Sequence, residues 1–151
     1  MDFNSFISGF TEGEGCFCVS FNQRKKLKTN IEVRPSFSIS QNKRNLLLLE
    51  KIQKSLKCGA IRFSRSDQNY KYEVRSIKDL VKLIIPFFDK YPLAGIKKSD
   101  FDNFKTVCML VYQNQHLNRE ALKNIIDISY QINSSGKRKY NKEELLKHMT
   151  S

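Results

Sequence analysis

No two cysteines in this sequence are spaced as zinc ligands are. Cys16, Cys18, Cys58 and Cys108 form no Cys-x-x-Cys pair, and the two histidines, His116 and His148, come late and make no ligand-spaced pair with any of them. That argues against a zinc site. Long apolar runs are missing too: nothing approaches the ~18 residues of a membrane span. The N-terminus shows neither a secretory signal nor an arginine-rich import pattern. The thiols are therefore expected to be free and reduced inside a cell, and a protein working in an organelle is expected to be made there. Acidic residues are scarce: 15 Asp+Glu against 27 Lys+Arg, a formal net charge of +12 over 151 residues. The length suits one domain with one core. The charge balance favours a polyanionic partner, nucleic acid first, over an ordinary basic soluble protein.

Against that basic background, two acids stand at the end of the stretch Phe6 to Phe17. Phe6, Ile7 and Phe10, with Phe3 one turn earlier, recur at helical spacing and predict an apolar stripe. Gly9 and Gly13 lie four apart on one face, where the absence of Cβ lets a second helix approach closely. Gly13 and Gly15 mark the helix stop. Glu12 and Glu14 sit where a helix exposes its carbonyls and disfavours acids. Two carboxylates among glycine carbonyls make an oxygen-rich pocket suited to a hard divalent cation such as Mg²⁺; a solvated helix end with incidental acids is the other reading.

Cys16 to Gln23 alternates, with Phe17, Val19 and Phe21 on one face and Cys16, Cys18, Ser20 and Asn22 on the other, and predicts a half-buried strand. A basic turn, Arg24 to Asn30, leads to a second alternating run, Ile31 to Gln41. Ile31, Val33, Phe37 and Ile39 face inward there, and Glu32, Arg34, Ser36, Ser38 and Ser40 outward. Pro35 breaks the inward row and suggests an edge strand or bulge. Asn42 is a candidate cap for a helix through Leu56. Strands are expected near Ala60 to Ser64 and Tyr70 to Arg75, with Arg62, Ser64, Lys71, Glu73 and Arg75 in the polar set. A helix is expected over Ile77 to Phe88, its last turn disturbed by Pro86. Ser99 is expected to cap a long helix through about Gln113, and another is expected from Leu117 to Ile132. Residues Ser134 to Lys139 read as a flexible basic tail, with a short helix near Glu143 to His148. The expected domain is 1–133 and the tail 134–151.

This order, αββαββα followed by extra C-terminal helices, predicts an α+β fold: one antiparallel four-stranded sheet with helices on one face. The other face carries short, amide and basic side chains. A two-stranded ribbon fits the DNA major groove, where Arg, Asn, Lys and Glu read base edges. The candidate DNA contacts are Cys16, Cys18, Ser20 and Asn22 on the first strand. Arg24, Lys26, Lys28 and Asn30 follow in the turn, then Glu32, Arg34, Ser36, Ser38 and Ser40. Arg62, Ser64, Arg65, Lys71, Glu73 and Arg75 complete the set from the second hairpin. Loop lysines, including Lys25 and Lys98, would meet phosphates. A merely solvated sheet face is the alternative. Cys16 and Cys18 either touch thymine methyls or fill space.

Ile7-Ser8-Gly9-Phe10-Thr11-Glu12-Gly13-Glu14-Gly15 resembles the motif that names the LAGLIDADG homing endonucleases. Glu replaces Asp at both acidic positions, Ser8 replaces an Ala, and Thr11 replaces an apolar residue. Phe37-Ser38-Ile39-Ser40-Gln41 resembles the family's F-x-I-x-Q segment. Leu56-Lys57-Cys58-Gly59 resembles the turn before its third strand, and Tyr91 to Phe101 its basic loop. The sequence beyond about Ile132 has no match.

The resemblance implies a saddle-shaped sheet and an intron-encoded, site-specific endodeoxyribonuclease. It implies a double-strand break with 3′ overhangs in a long pseudo-palindromic double-stranded DNA site. It implies catalytic residues Glu14, Gln41 and Lys97, with Lys98 the alternative to Lys97; the count back from Phe104 favours Lys97. It implies Mg²⁺ held by Glu14 and the Gly13 carbonyl, with Mn²⁺ or Ca²⁺ as structural substitutes. A single motif implies a homodimer packed through Ser8, Gly9, Glu12 and Gly13. It implies residence in a chloroplast or mitochondrion. No membrane and no nucleotide cofactor are expected. The rivals are an RNA-binding intron maturase on the same scaffold and a transcription regulator.

Overall fold

The structure is a computed structural model that describes residues 2–132 and 138–149. Four strands form one sheet in the order β1-β2-β4-β3, where β1 is Gly15–Gln23, β2 Ile31–Asn42, β3 Ala60–Ser64 and β4 Asn69–Val74. The fold is α+β, as the pattern predicts. Its contacts divide the chain into two compact units, residues 1–16 with 36–98 and residues 17–35 with 99–151.

In the first unit, α1 (Phe3–Glu14) starts at Asp2, whose carboxylate accepts the Asn4 N–H. Its 3.6-residue period sorts the side chains into stripes. Phe3, Phe6 and Phe10 stack at 5.7 and 5.6 Å between ring centres. Ile7 and Thr11 are buried. Gly9 and Gly13 are exposed, and a Cβ on either would meet nothing within 4 Å.

Thr11 is fully buried with its hydroxyl unpartnered. A buried hydroxyl without a partner costs its desolvation and regains nothing. Thr11→Val should therefore stabilise the chain by about 1–2 kcal/mol, or roughly 3–6 °C in Tm. A thermal melt checks this; an unchanged or lower Tm would mean that the hydroxyl has a bonding role.

The β2–β4–β3 register fixes both faces of this part of the sheet. Ile39, Tyr72 and Ile61 form one row, and Phe37 pairs with Val74. Phe37 packs edge-on against Phe88 at 5.4 Å. The opposite parity gives Ser38–Glu73–Ala60, Ser40–Lys71–Arg62 and Asn42–Asn69–Ser64. α2 (Leu46–Leu56) buries Leu49, Ile52 and Leu56. Asn42 caps the turn before it, as expected, by accepting the Arg44 N–H.

Two expectations are corrected. β2 is an inner strand, not an edge. Pro35 is tolerated there because the ladder with β4 begins only at Phe37, so the missing N–H removes no bond from it. Pro86 does not disturb a last turn either. The helix runs as α3 (Ile77–Asp79), a wider π-wound stretch over Leu80–Ile84, and α4 (Ile85–Lys90). Ile85 N–H reaches back to the Leu80 carbonyl. Widening just before the proline accommodates the residue that cannot donate, and the helix continues past it.

In the second unit, Phe17, Val19, Phe21, Ile31 and Val33 are buried. Phe17 packs on Phe101 and Phe104 of α5 (Lys97–Tyr112), with ring centres 5.5 and 5.1 Å away. α6 (Arg119–Ser129) adds Leu122, Ile125 and Ile126. α7 (Lys142–His148) opens with a reciprocal Asn141–Glu144 capping box. Arg138 is anchored: it donates to the carbonyls of Val19 at 2.8 Å and Ser129 at 2.6 Å, and lies over the Tyr130 ring. That differs from the flexible tail expected at this residue; residues 134–137 of that tail lie outside the described residues.

Candidate functional site

The end of α1 is organised by a loop 80 residues downstream in sequence. Asn4, Ser8 and Glu12 lie four apart, on one stripe of α1. Asn4 Nδ2 donates to Tyr91 Oη at 3.1 Å. Ser8 Oγ donates to the Tyr91 carbonyl at 2.7 Å. Glu12 Oε1 accepts the N–H groups of Ala94 at 3.0 Å and Gly95 at 2.8 Å, and Oε2 accepts that of Lys97 at 3.1 Å. Lys97 opens α5, so Glu12 caps that helix from outside it. The expected cap, Ser99, lies inside it. The anomaly of an acid at a helix C-terminus is thereby resolved for Glu12: its carboxylate serves the electropositive start of another helix. The four-residue spacing of Asn4, Ser8 and Glu12 is the sequence signal for this grip.

The Gly95 N–H, with those of Lys97 and Ala94 and the Lys97 charge, holds the Glu12 carboxyl below its ordinary value, against the opposing effect of burial. A depressed carboxylate contributes stability that is complete above the unfolded value, 4.5, and is lost as the pH falls through the lower folded value. Glu12→Gln should therefore lower Tm near neutral pH and flatten its fall on acidification from about pH 5 to about pH 3. Melts across that range check it; parallel wild-type and variant curves would deny the cap its charge.

Lys97 Nζ donates to the carbonyl of Gly15. Lys97 therefore stands at the α1–β1 junction. Glu14, one residue before Gly15, is exposed and has no hydrogen-bond or ion-pair partner among the described residues. Gln41 is bonded elsewhere, accepting from Asn45 Nδ2 at 2.7 Å and donating to the Ser40 carbonyl at 2.9 Å. The structure thus brings together Glu12, Gly15 and Lys97 beside Glu14. Ser8, expected at a dimer interface, is turned inward and buried by its bond to the 91–92 loop, and Glu12 is occupied by its cap. Of that expected set, Gly9 and Gly13 remain on the open face.

The donors at this terminus, a carboxylate and glycine carbonyls, are hard oxygens of the kind Mg²⁺ takes. Their chemistry fits a divalent ion. Their number in one chain does not complete a site: no group of three His, Cys, Asp or Glu that could hold a metal occurs among the described residues.

The polar sheet face departs in places from a simple row of readers. In the first unit Ser40, Arg62, Arg65 and Arg75 are exposed, and Ser36, Ser64, Lys71 and Lys98 are half-buried. Ser38 and Glu73 are buried, each 8 % exposed. They face each other across β2 and β4, beneath the cations on either side. Cys16 is half-buried. In the second unit Cys18 and Asn22 are half-buried, while Ser20, Arg24, Lys26, Lys28 and Arg34 are exposed. Glu32 pairs with Arg24 at 2.6 Å. Asn30 holds a left-handed turn at φ 68° and donates to the His148 carbonyl at 2.9 Å. Its amide nitrogen is therefore engaged within the chain.

The family model described as LAGLIDADG endonuclease matches residues 7–108. The chain is 32 % identical to the "Probable intron-encoded endonuclease 2" of Neurospora crassa over 82 % of its own length and 26 % of that protein's. Among solved structures it resembles the homing endonuclease I-TnaI, with TM-score 0.84, 32 % identity, and 96 % of this chain and 94 % of that one covered. It also resembles I-SmaMI bound to uncleaved DNA target in the presence of calcium ions, with TM-score 0.85, 33 % identity, and 94 % and 47 % covered. The chain belongs to the LAGLIDADG endonuclease family. It spans about a quarter of the length of the curated relative described.

Proposed function

We propose that this chain is an intron-encoded, site-specific DNA endonuclease that acts as a symmetric dimer. One observation carries the reading: an exposed, unpartnered Glu14 stands between an open Gly13 and a Gly15 whose carbonyl holds Lys97. An exposed carboxylate beside a positioned lysine, in a chain of net charge +12, suits a phosphodiester more than a neutral substrate.

In this reading Glu14 and the Gly13 carbonyl would hold Mg²⁺, which would supply Lewis-acid stabilisation of the developing charge. Lys97 shifts from the Gly15 carbonyl to the phosphoryl oxygens and adds positive charge there. Glu12 fixes the start of α5 so that Lys97 projects from a set origin. Gln41 orients water near the site. Exposed basic residues of the turn and strands take phosphates, and the sheet face reads bases. Two chains meet through Gly9 and Gly13 and bring two Glu14 carboxylates together, which supplies the donors that one chain lacks and matches a pseudo-palindromic site. The coverage of nearly all of I-TnaI and about half of the I-SmaMI chain supports a lobe that works in a pair. The break leaves 3′ overhangs, and the site of action is the organelle whose intron encodes the protein.

The test is cleavage of a duplex spanning the intron-less junction. With Mg²⁺ present, two fragments with 3′ overhangs are expected, and none with a chelator. Binding of intron RNA without DNA cleavage would support the maturase reading instead.

A further inference from the structure

The most heavily charged cluster among the described residues outside the α1 terminus centres on Glu73. Its side chain is 8 % exposed, near the C-terminal end of the polar face of β4. Glu73 Oε1 accepts from Arg62 Nη2 at 2.6 Å and pairs with the Arg75 charge, Nε 2.9 Å away, while Oε2 lies 3.3 Å from Lys71 Nζ. The three cations are 60, 56 and 44 % exposed. One carboxylate is thus roofed by two guanidiniums and an ammonium, and the cluster keeps a net positive charge.

That geometry is wrong for a base reader. A glutamate that reads cytosine accepts from its N4 amine with an open lone pair. Here one oxygen already takes the Arg62 donor and faces the Arg75 charge, and the carboxylate is almost out of solvent. The geometry is right for a carboxylate that positions arginines. Arg75 is paired at Nε, which leaves both terminal nitrogens without a bond to Glu73, and Arg62 is gripped through one terminal nitrogen. A guanidinium has five N–H donors in a rigid plane, so fixing one of them orients the rest. Long side chains lose rotamer freedom when they bind; a carboxylate beneath them has ordered them beforehand.

We propose that Glu73 is a positioning residue for DNA specificity: it touches no base, and sets the directions from which Arg62 and Arg75 read the duplex. Glu32, with Arg24 at 2.6 Å and Arg34 at 3.6 Å, repeats the device on β1–β2 in the second unit. The inference rests on the DNA-binding reading above.

The experiment is selection of bound duplexes from a pool randomised at each base pair of the intron-less junction. Wild type, Glu73→Gln, Arg62→Ala, Arg75→Ala and the double variants with Glu73→Gln are compared. Each arginine variant marks the base pairs that it reads. Glu73→Gln should lose roughly tenfold or more of the preference at those same base pairs, the scale of a lost bidentate contact. It should add nothing there on top of the arginine variants. Non-specific duplex binding should tighten, since one negative charge is gone. Preference intact at those base pairs overturns the proposal and leaves Glu73 a strut of the sheet. So does a loss confined to base pairs that neither arginine reads, which would make Glu73 a direct reader. If Glu73→Gln folds poorly, Glu73→Asp, whose shorter reach retracts the anchor, must shift preference at the same base pairs. Wild type selecting no duplex at all would remove the DNA reading itself, and this inference with it.

Discussion

Glu14→Gln leaves duplex binding intact and removes strand cleavage. The expected loss is about a thousandfold or more, the rate equivalent of roughly 4 kcal/mol of transition-state charge stabilisation. Glu14 is exposed and has no hydrogen-bond or ion-pair partner among the described residues. The amide therefore costs the fold little, and an unchanged Tm is part of the prediction. Binding should hold or tighten slightly, because one negative charge near phosphates is lost. Glu12→Gln is the contrast two residues away: it loosens the cap on α5 and so lowers stability, whereas Glu14→Gln lowers the rate alone. A gel shift, a cleavage assay and a thermal melt on the two variants separate these roles. Wild-type cutting by Glu14→Gln removes this carboxylate from the chemistry.

Gly9→Leu should split the proposed dimer. In the single chain the substitution has room, since a Cβ at Gly9 meets nothing within 4 Å. Leucine is also the better helix former by close to 1 kcal/mol, so the isolated chain should melt no lower. Between two helices packed at glycine distance the same side chain is a wedge. Overpacking costs about 1–3 kcal/mol per site, and two-fold symmetry applies it twice. Dimerisation should weaken roughly thirtyfold to twenty-thousandfold, and double-strand cleavage should fall with it. Sedimentation at low micromolar concentration should give the mass of one chain for Gly9→Leu and of two for wild type. A variant that stays dimeric and cuts places the interface on some other face.

The two variants probe the two ways in which α1 was read. Its apolar spacing, its glycines and its acidic end were visible as periodicity, and the structure keeps all three. Its polar stripe was not: Asn4, Ser8 and Glu12 look incidental until the 91–97 loop is seen against them. Glu12 and Glu14 differ by two positions in an α-helix, which turns them about 200° apart. One carboxylate therefore grips a helix start in its own chain while the other faces outward. No local rule distinguishes them, because what separates them is a partner more than 80 residues away.

The sheet tells the same story. Period-two alternation settled which side chains of β1 and β2 share a face, since successive side chains of a strand point to opposite faces whatever the tertiary context, but it left Ser38 outward where the structure buries it. It placed Glu73 on the polar face correctly. Lys71 and Arg75 flank Glu73 at i±2, which alternation already gives; register added Arg62, by pairing Ala60 with Glu73 and Arg62 with Lys71. Pro35 and Pro86 were read from the donor that each lacks. Their neighbours decided the outcome: the ladder with β4 starts two residues beyond one, and the helix widens ahead of the other. Short-range chemistry determined the elements, their faces and the acidic terminus. Tertiary structure alone decided which acid caps, which lysine reaches Gly15 and which carboxylate organises arginines, because each of these depends on groups far apart in the chain.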